Sequence, residues 1–249
     1  MMTFAIQTQS LTKIYPGKDA PSLNALDLAV QRGEIFGYLG PNGAGKSTTI
    51  RLMLDLIRPT SGNVSIFGMD VQAHSRMVRG QVGNLPGELR LWPHLTGRQT
   101  LEYLAGLRPG CDLKFAYEMA ERLNLELDVK CARYSTGNRR KVGIIQAMMH
   151  RPPLLILDEP TSGLDPLVRQ SFHELLTDAK LHGQTVFLSS HVLSEVQDVC
   201  DRIGILRAGK LQMVSSVSDL RVERVMTIYT RDVIVKEAWL ALDGVERIE

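Results

Sequence analysis

Two periodicities take turns along the chain. Apolar residues fall at alternate positions in "FAIQTQSLTKIY" and in "LNALDLAV", the spacing of half-buried strands. "RGE" then reads as a turn into "EIFGYL", a short apolar run that suits a buried strand. From Gly45 the spacing becomes helical, with Ile50, Leu52, Met53, Leu54, Leu56 and Ile57 forming the apolar set up to the turn "RPTSG". "NVSIFG" reads as another strand. Between about residues 95 and 150 only helical patterns occur, in "TGRQTLEYLAGL", "LKFAYEMAERLNL" and "RKVGIIQAMMH". After Pro152 strands and helices alternate again: "LLILDE", "LVRQSFHELLTDAKLHG", "TVFLSS", "SEVQDVC" and "RIGILRAG". Alternation of this kind predicts an α/β fold with a parallel sheet, split by a helical insertion. From Leu211 the pattern weakens, and "VMTIYTRDVIV" alternates like one more strand.

Composition narrows the function classes. The length of 249 residues suits one large domain or two small ones and is ample for a core. A net charge of +2 gives no argument for nucleic acid as a partner. The apolar runs stop well short of a membrane span, and "MMTFAIQTQS" lacks the features of a secretory signal. Cys111, Cys131 and Cys200 are scattered, without metal-binding or redox spacing, and read as free thiols. The expectation is a soluble cytoplasmic protein.

"GPNGAGKSTT" sits between the apolar strand and the first helix. Gly40, Gly45, Lys46 and Ser47 fit G-x-x-x-x-G-K-[ST], a loop that wraps phosphate. Only glycine lets the backbone approach a phosphate chain closely and take positive φ. Successive N–H groups and the helix N-terminus then face the anion. Lys46 adds a charge for the β- and γ-phosphates, and Ser47 a hydroxyl for Mg²⁺. An accidental glycine-rich turn is the plain alternative, but the flanking strand and helix are the context the motif requires. Asp158 ends "LLILD", where a carboxylate can meet Mg²⁺ beside Ser47. Glu159, next in the chain, can polarise an attacking water. By themselves the two acids could equally cap a strand end.

With these motifs in place the sequence resembles the ATP-binding cassette family over residues 4–210. "GPNGAGKST" resembles its Walker A and "LLILDEPTSGLDP" its Walker B and D-loop. "YSTGNRRKVGIIQAMMHRP" is similar to the signature segment and its helix, and "LSSH" to the strand ending in the switch histidine. The resemblance implies a P-loop NTPase core with a parallel sheet, an N-terminal antiparallel β subdomain and an α-helical subdomain inserted at about 88–150. It places the ATPase domain at 1–212 and a short C-terminal extension at 213–249. Nucleotide contacts would come from Tyr15, stacking on adenine, and from Gly40, Pro41, Asn42, Gly43, Ala44, Gly45, Lys46, Ser47 and Thr48. Ser47 and Asp158 would hold Mg²⁺, Glu159 would be the base, and His191 would contact the γ-phosphate. Two cassettes, alike or different, would close head to tail on ATP. Ser135 and Gly137 would then touch the partner's nucleotide, and Asp165 would order the D-loop across the interface. Read without the family, "STGN" is a helix cap.

Two departures stand out. The common signature "LSGGQ" is here "YSTGN". The Q-loop glutamine is expected after "VGNLP", where Gly87 stands with Glu88 beside it. Glu88 could serve in its place, or water could fill the gap left by Gly87. "LPGELRLWPHLTG" and "STGN" resemble the multidrug and antibiotic exporter branch, and the tail resembles the first part of that branch's C-terminal extension. The implied function is ATP hydrolysis that drives export through a separate integral membrane permease. The protein would then sit peripherally at the inner face of the cell membrane. The main rival is a soluble cassette acting on ribosomes or DNA. A phosphotransferase would have no use for "STGN" or "SGLDP".

Overall fold

A computed structural model describes residues 4–108 and 110–219. The "VMTIYTRDVIV" strand and most of the expected extension lie outside the described residues.

The first three strands fall where the alternation places them: β1 (Phe4–Lys13), β2 (Leu23–Gln31) and β3 (Ile35–Leu39). Then come α1 (Lys46–Met53), β4 (Ser61–Ile66), β5 (Met69–Asp70), α2 (Ser75–Gly80) and β6 (Val82–Leu85). The helical stretch holds α3 (Gly97–Gly106), α4 (Leu113–Arg122) and α5 (Thr136–Met148). The chain continues through β7 (Leu154–Asp158), α6 (Pro166–Leu181), β8 (Thr185–Ser190), α7 (Leu193–Gln197), β9 (Arg202–Arg207) and β10 (Lys210–Ser216).

Two sheets result. One has the order β2-β1-β4-β5 and is antiparallel throughout. The other has the order β10-β9-β3-β8-β7-β6 and is parallel except at β10, which pairs antiparallel with β9. The central strands are buried on both sides, and their twofold side-chain period divides them between two cores. Ile35 and Leu39 of β3, Leu155 and Leu157 of β7 and Val186 and Leu188 of β8 face the helices. Phe36, Tyr38, Leu154, Ile156 and Phe187 face the antiparallel sheet and α1. Phe187 stacks on Phe36 at 6.0 Å between centroids and tilts against Tyr38 at 5.2 Å. Full burial of each such side chain contributes roughly 1.5–3 kcal/mol. This layer fixes β3 against β8, and β3 carries the glycine loop.

The structure differs from the sequence pattern in three places. The first helix does not run on to Ile57. It stops at Met53, because Asp55 takes φ +53° and Leu56 turns out to solvent. The Asp55 carboxylate meets Arg58 at 3.2 Å and Arg79 at 4.0 Å. A second difference is β6. The local pattern names no strand there, yet β6 pairs with β7 at the edge of the main sheet. Last, β10 crosses the division placed at 212–213 and runs to Ser216, held by its ladder with β9.

Arg108 is one of the residues that tie the helical part to the main sheet. Arg108 donates from Nη1 to His150 Nε2 at 2.6 Å, and from Nη2 to the carbonyls of Arg79 at 2.6 Å and Val82 at 3.1 Å. Arginine can only donate, so His150 accepts and is neutral. Burial, reinforced by the Arg108 cation, pushes its pKa down to about 4. The unfolded chain titrates near 6.5 and takes up this proton first as pH falls. The stabilising contribution is therefore full above about pH 6.5 and is lost towards pH 4. Urea unfolding at pH 7.5 and pH 5 should show a drop in midpoint that is smaller in His150→Gln than in the parent.

Candidate functional site

Parallel strands bring their C-terminal ends to one edge of the sheet. Leu39 of β3 pairs with Ser190 of β8, and Ser189 pairs with Asp158 of β7. Residue 40, residue 159 and residue 191 therefore follow three adjacent strand ends.

The glycine loop leaves β3 at Gly40 and enters α1 at Lys46. Gly45 has φ +113°, and a Cβ there would lie 2.5 Å from the Ser22 carbonyl oxygen. Gly40 is equally constrained, since its Cβ would lie 2.4 Å from the Leu206 carbonyl oxygen. These positions exclude a side chain through backbone contact, which favours glycine apart from any ligand. Pro41, Asn42 and Gly43 are exposed at the rim, and Ala44 is buried beneath it. The unpaired N–H groups at the start of α1 open towards the same edge.

Lys46 is 6% exposed. Its Nζ donates to the Gly40 carbonyl at 2.6 Å and the Pro41 carbonyl at 3.3 Å. It also lies 3.2 Å from Glu159 Oε1, an ion pair without hydrogen-bond geometry. Glu159 Oε2 lies 2.8 Å from His191 Nδ1. One carboxylate thus sits between the loop lysine and the histidine after β8. Asp158 is buried and held at both oxygens. Oδ2 accepts from Ser47 Oγ at 2.8 Å and Oδ1 from Ser189 Oγ at 2.5 Å. Ser189 Oγ in turn accepts from the Glu159 N–H at 3.0 Å.

The remaining predicted residues divide into two groups. Tyr15 reaches the loop: its Oη lies 3.3 Å from Thr48 Oγ1. Gly87 also reaches the site, because a Cβ on it would meet Asp158 Oδ2 at 3.0 Å. Glu88 is exposed and makes no hydrogen bond or ion pair among the described residues. Ser135 and Gly137 form no hydrogen bond with the loop among the described residues. Ser135 caps α5, accepting from the Asn138 N–H at 3.1 Å. A Cβ on Gly137 would lie 2.5 Å from the Gly163 carbonyl oxygen, so α5 begins packed against the D-loop. Asp165 caps α6 by accepting from the Val168 N–H at 3.0 Å, which holds its carboxyl below the usual carboxylate range.

The profile of the ABC transporter family matches residues 23–162. The chain belongs to the ABC transporter family. It is similar to the bacitracin transport ATP-binding protein BcrA of Bacillus licheniformis, with 39% identity over 84% of this chain and 69% of that protein. It is also 36% identical to the linearmycin resistance ATP-binding protein LnrL of Bacillus subtilis, over 86% of this chain and 70% of that one. Among solved structures, an ATP-binding subunit of an ABC transporter superposes with a TM-score of 0.79. That match has 30% identity and covers 87% of this chain and 92% of the other. This protein is thus an ATP-binding, ATP-hydrolysing cassette with the family's P-loop core, antiparallel sheet and helical insertion.

Several contacting residues escaped the sequence reading. Arg140 is buried behind Asp158 and Glu159, donating to their carbonyls. A cation four residues before Ile144 and eight before Met148, on the buried side of α5, was the available signal. Ser189 gave none, as a serine ending an apolar strand is ordinary. Glu195 accepts from Thr161 Oγ1 at 2.7 Å and pairs with Arg169 at 3.0 Å, linking the D-loop to the segment after His191. Only the fold brings those three together.

Lys46→Ala should leave the fold intact and weaken ATP binding. The loss should be about 10–100-fold, the range given by the ~1.5–3 kcal/mol of a hydrogen bond to a charged group. Titration with a fluorescent ATP analogue measures it, and near-parental affinity would refute the loop assignment. Glu88→Ala, an exposed change, should leave the ATPase rate within about twofold of the parent. Steady-state assays over a Mg²⁺ series check this.

Proposed function

We propose that this cassette powers export through a separate integral membrane permease, with Glu159 as the general base for ATP hydrolysis. The placement of Glu159 between Lys46 and His191 is the observation that carries the catalytic part. A carboxylate held by a cation and a histidine at a phosphate-binding loop can take a proton from water directed at the γ-phosphate. His191 orients that carboxylate through Nδ1 and reaches the γ-phosphate. Lys46 and the loop N–H groups hold the β- and γ-phosphates, and Tyr15 stacks on adenine.

The donor set also fits Mg²⁺. Ser47 Oγ and Asp158 Oδ2 are hard oxygen ligands 2.8 Å apart at the mouth of the loop. When bound there, Mg²⁺ neutralises charge on the phosphate oxygens. The backbone at 87 is aimed at the same carboxylate without a side chain.

Ser135 and Gly137 stand on a helix N-terminus and, among the described residues, form no hydrogen bond with the nucleotide loop of their own chain. That supports a second cassette, identical or homologous, whose ATP they complete. Asp165 orders the D-loop at that interface.

Export rests on likeness to the bacitracin transport and linearmycin resistance proteins, and an antibiotic-like cargo is the corresponding class. A separate permease rests on the same likeness, since both relatives are ATP-binding proteins by name. Among the described residues no helix is long and apolar enough to cross a membrane. A groove of about 400 Å³ beside the 86–90 segment, lined by Leu56, Leu89, Leu91 and Trp92 with Arg79 and Arg90, is the proposed permease contact. The cassette would lie at the cytoplasmic face of the membrane.

Glu159→Gln keeps the shape and removes the proton acceptor. Hydrolysis should fall by about 10²-fold or more, in the range of general-base contributions. ATP should still bind, and light scattering should show a shift towards dimer with ATP and Mg²⁺. Hydrolysis at the parental rate would sink the assignment.

A further inference from the structure

Arg140 lies in the second turn of α5, the helix capped by Ser135. Its guanidinium is buried and makes no ion pair among the described residues. It spends its donors on backbone carbonyls. Nη1 donates to Pro86 O at 2.8 Å and Gly87 O at 3.1 Å. Nη2 donates to Asp158 O at 2.8 Å and to Glu159 O. One cation therefore bridges the loop after β6 and the end of β7. Gln146, farther along α5, adds a bond to Asn84 O at 2.6 Å, so the helix runs tied along β6.

The bridge falls where the backbone is unfavourable. Glu159 has φ +51°, a left-handed conformation that is unfavourable for a residue with a side chain. Such a conformation persists only where its surroundings fix it. The Glu159 N–H is held by Ser189 Oγ, and its carbonyl accepts from Arg140 and, at 3.2 Å, from the Ser162 N–H. Without Arg140 that carbonyl would keep only the turn bond from Ser162, a looser hold that lets the peptide tilt and shifts the carboxylate relative to His191. The loop side is equally dependent. Gly87 has no side chain with which to reach Asp158, so its link to the β7 end runs through its own carbonyl and Arg140.

We propose that Arg140 is the positioning residue for Glu159: it aims the base and ties its aim to the 86–87 backbone and to α5. Four carbonyls and the nearby charges of Asp158 and Glu159 offset the burial, and planar geometry lets one guanidinium serve two strand ends at once. Lysine cannot reproduce this, because its compact ammonium cannot span both pairs of carbonyls. The inference rests on Glu159 being the base.

The test uses the full chain with ATP and Mg²⁺. Arg140→Lys and Arg140→Gln are each made in the parent and in the Glu159→Gln background. In the parent background kcat should fall by about tenfold or more, the scale on which small misplacements act, while the KM for ATP stays within about threefold. In the Glu159→Gln background the Arg140 changes should cause no further loss, because no base remains to be aimed. Equal fractional losses in both backgrounds, a rise in KM alone, or failure of both variants to fold would overturn the inference. In each case Arg140 would be a structural tie only. Parental hydrolysis by Glu159→Gln alone would instead remove the reading of Glu159, whatever the Arg140 variants do.

Discussion

The site depends on the parallel register of β3, β8 and β7. Leu39 opposite Ser190 and Ser189 opposite Asp158 leave the next residue of each strand at a common edge. Strands in such a sheet are about 4.8 Å apart, so groups on adjacent strand ends come within contact distance without any loop reaching far. Lys46, Glu159 and His191 meet on those terms. The register is set some distance away, by Phe36, Tyr38 and Phe187 under the sheet and by Leu155, Leu157 and Leu188 on its other face. A slip of one residue would exchange these two sets between cores and scatter the three polar groups.

Around that edge the polar groups are held in series. Ser47 and Ser189 occupy the two oxygens of Asp158, Ser189 holds the Glu159 N–H, and Arg140 holds the carbonyls on the other side. Groups satisfied in this way need little reorganisation when charge develops in a reaction. Glu159 alone is left with its carboxylate directed outward, towards Lys46 and His191.

The two departures from the family pattern have different meanings in the structure. "YSTGN" keeps what the fold uses, with Ser135 capping α5 and Gly137 packed against Gly163. Gly87 alters the site itself. The position faces Asp158 closely, yet offers only backbone there. Contact between the loop and the β7 end then passes through Arg140, a residue on the signature helix. Loop, helix and base share one bridge.

Local pattern alone marks the main-sheet strands β3, β7, β8 and β9, the glycine loop and the paired acids. Each is written in local terms: a run of apolar residues, a spacing of glycines, a carboxylate at a strand end. It also placed Tyr15 and His191 in the chain, though their approach to the loop is a matter of folding. Local pattern failed where the cause lay far along the chain. β6 is only four residues long and becomes a strand by pairing with β7 some seventy residues later. Helix α1 ends because Asp55 takes a left-handed φ, with its carboxylate between Arg58 and the distant Arg79, which the helical spacing of "LMLDLI" could not foretell. The choice between Gly87 and Glu88 was likewise open, because neighbours in sequence can point in opposite directions, and the path of the loop alone turned position 87 to Asp158. Arg140 and Arg139 are adjacent and chemically identical. Burial against four carbonyls distinguishes one from the other, and burial is a property of the assembled fold.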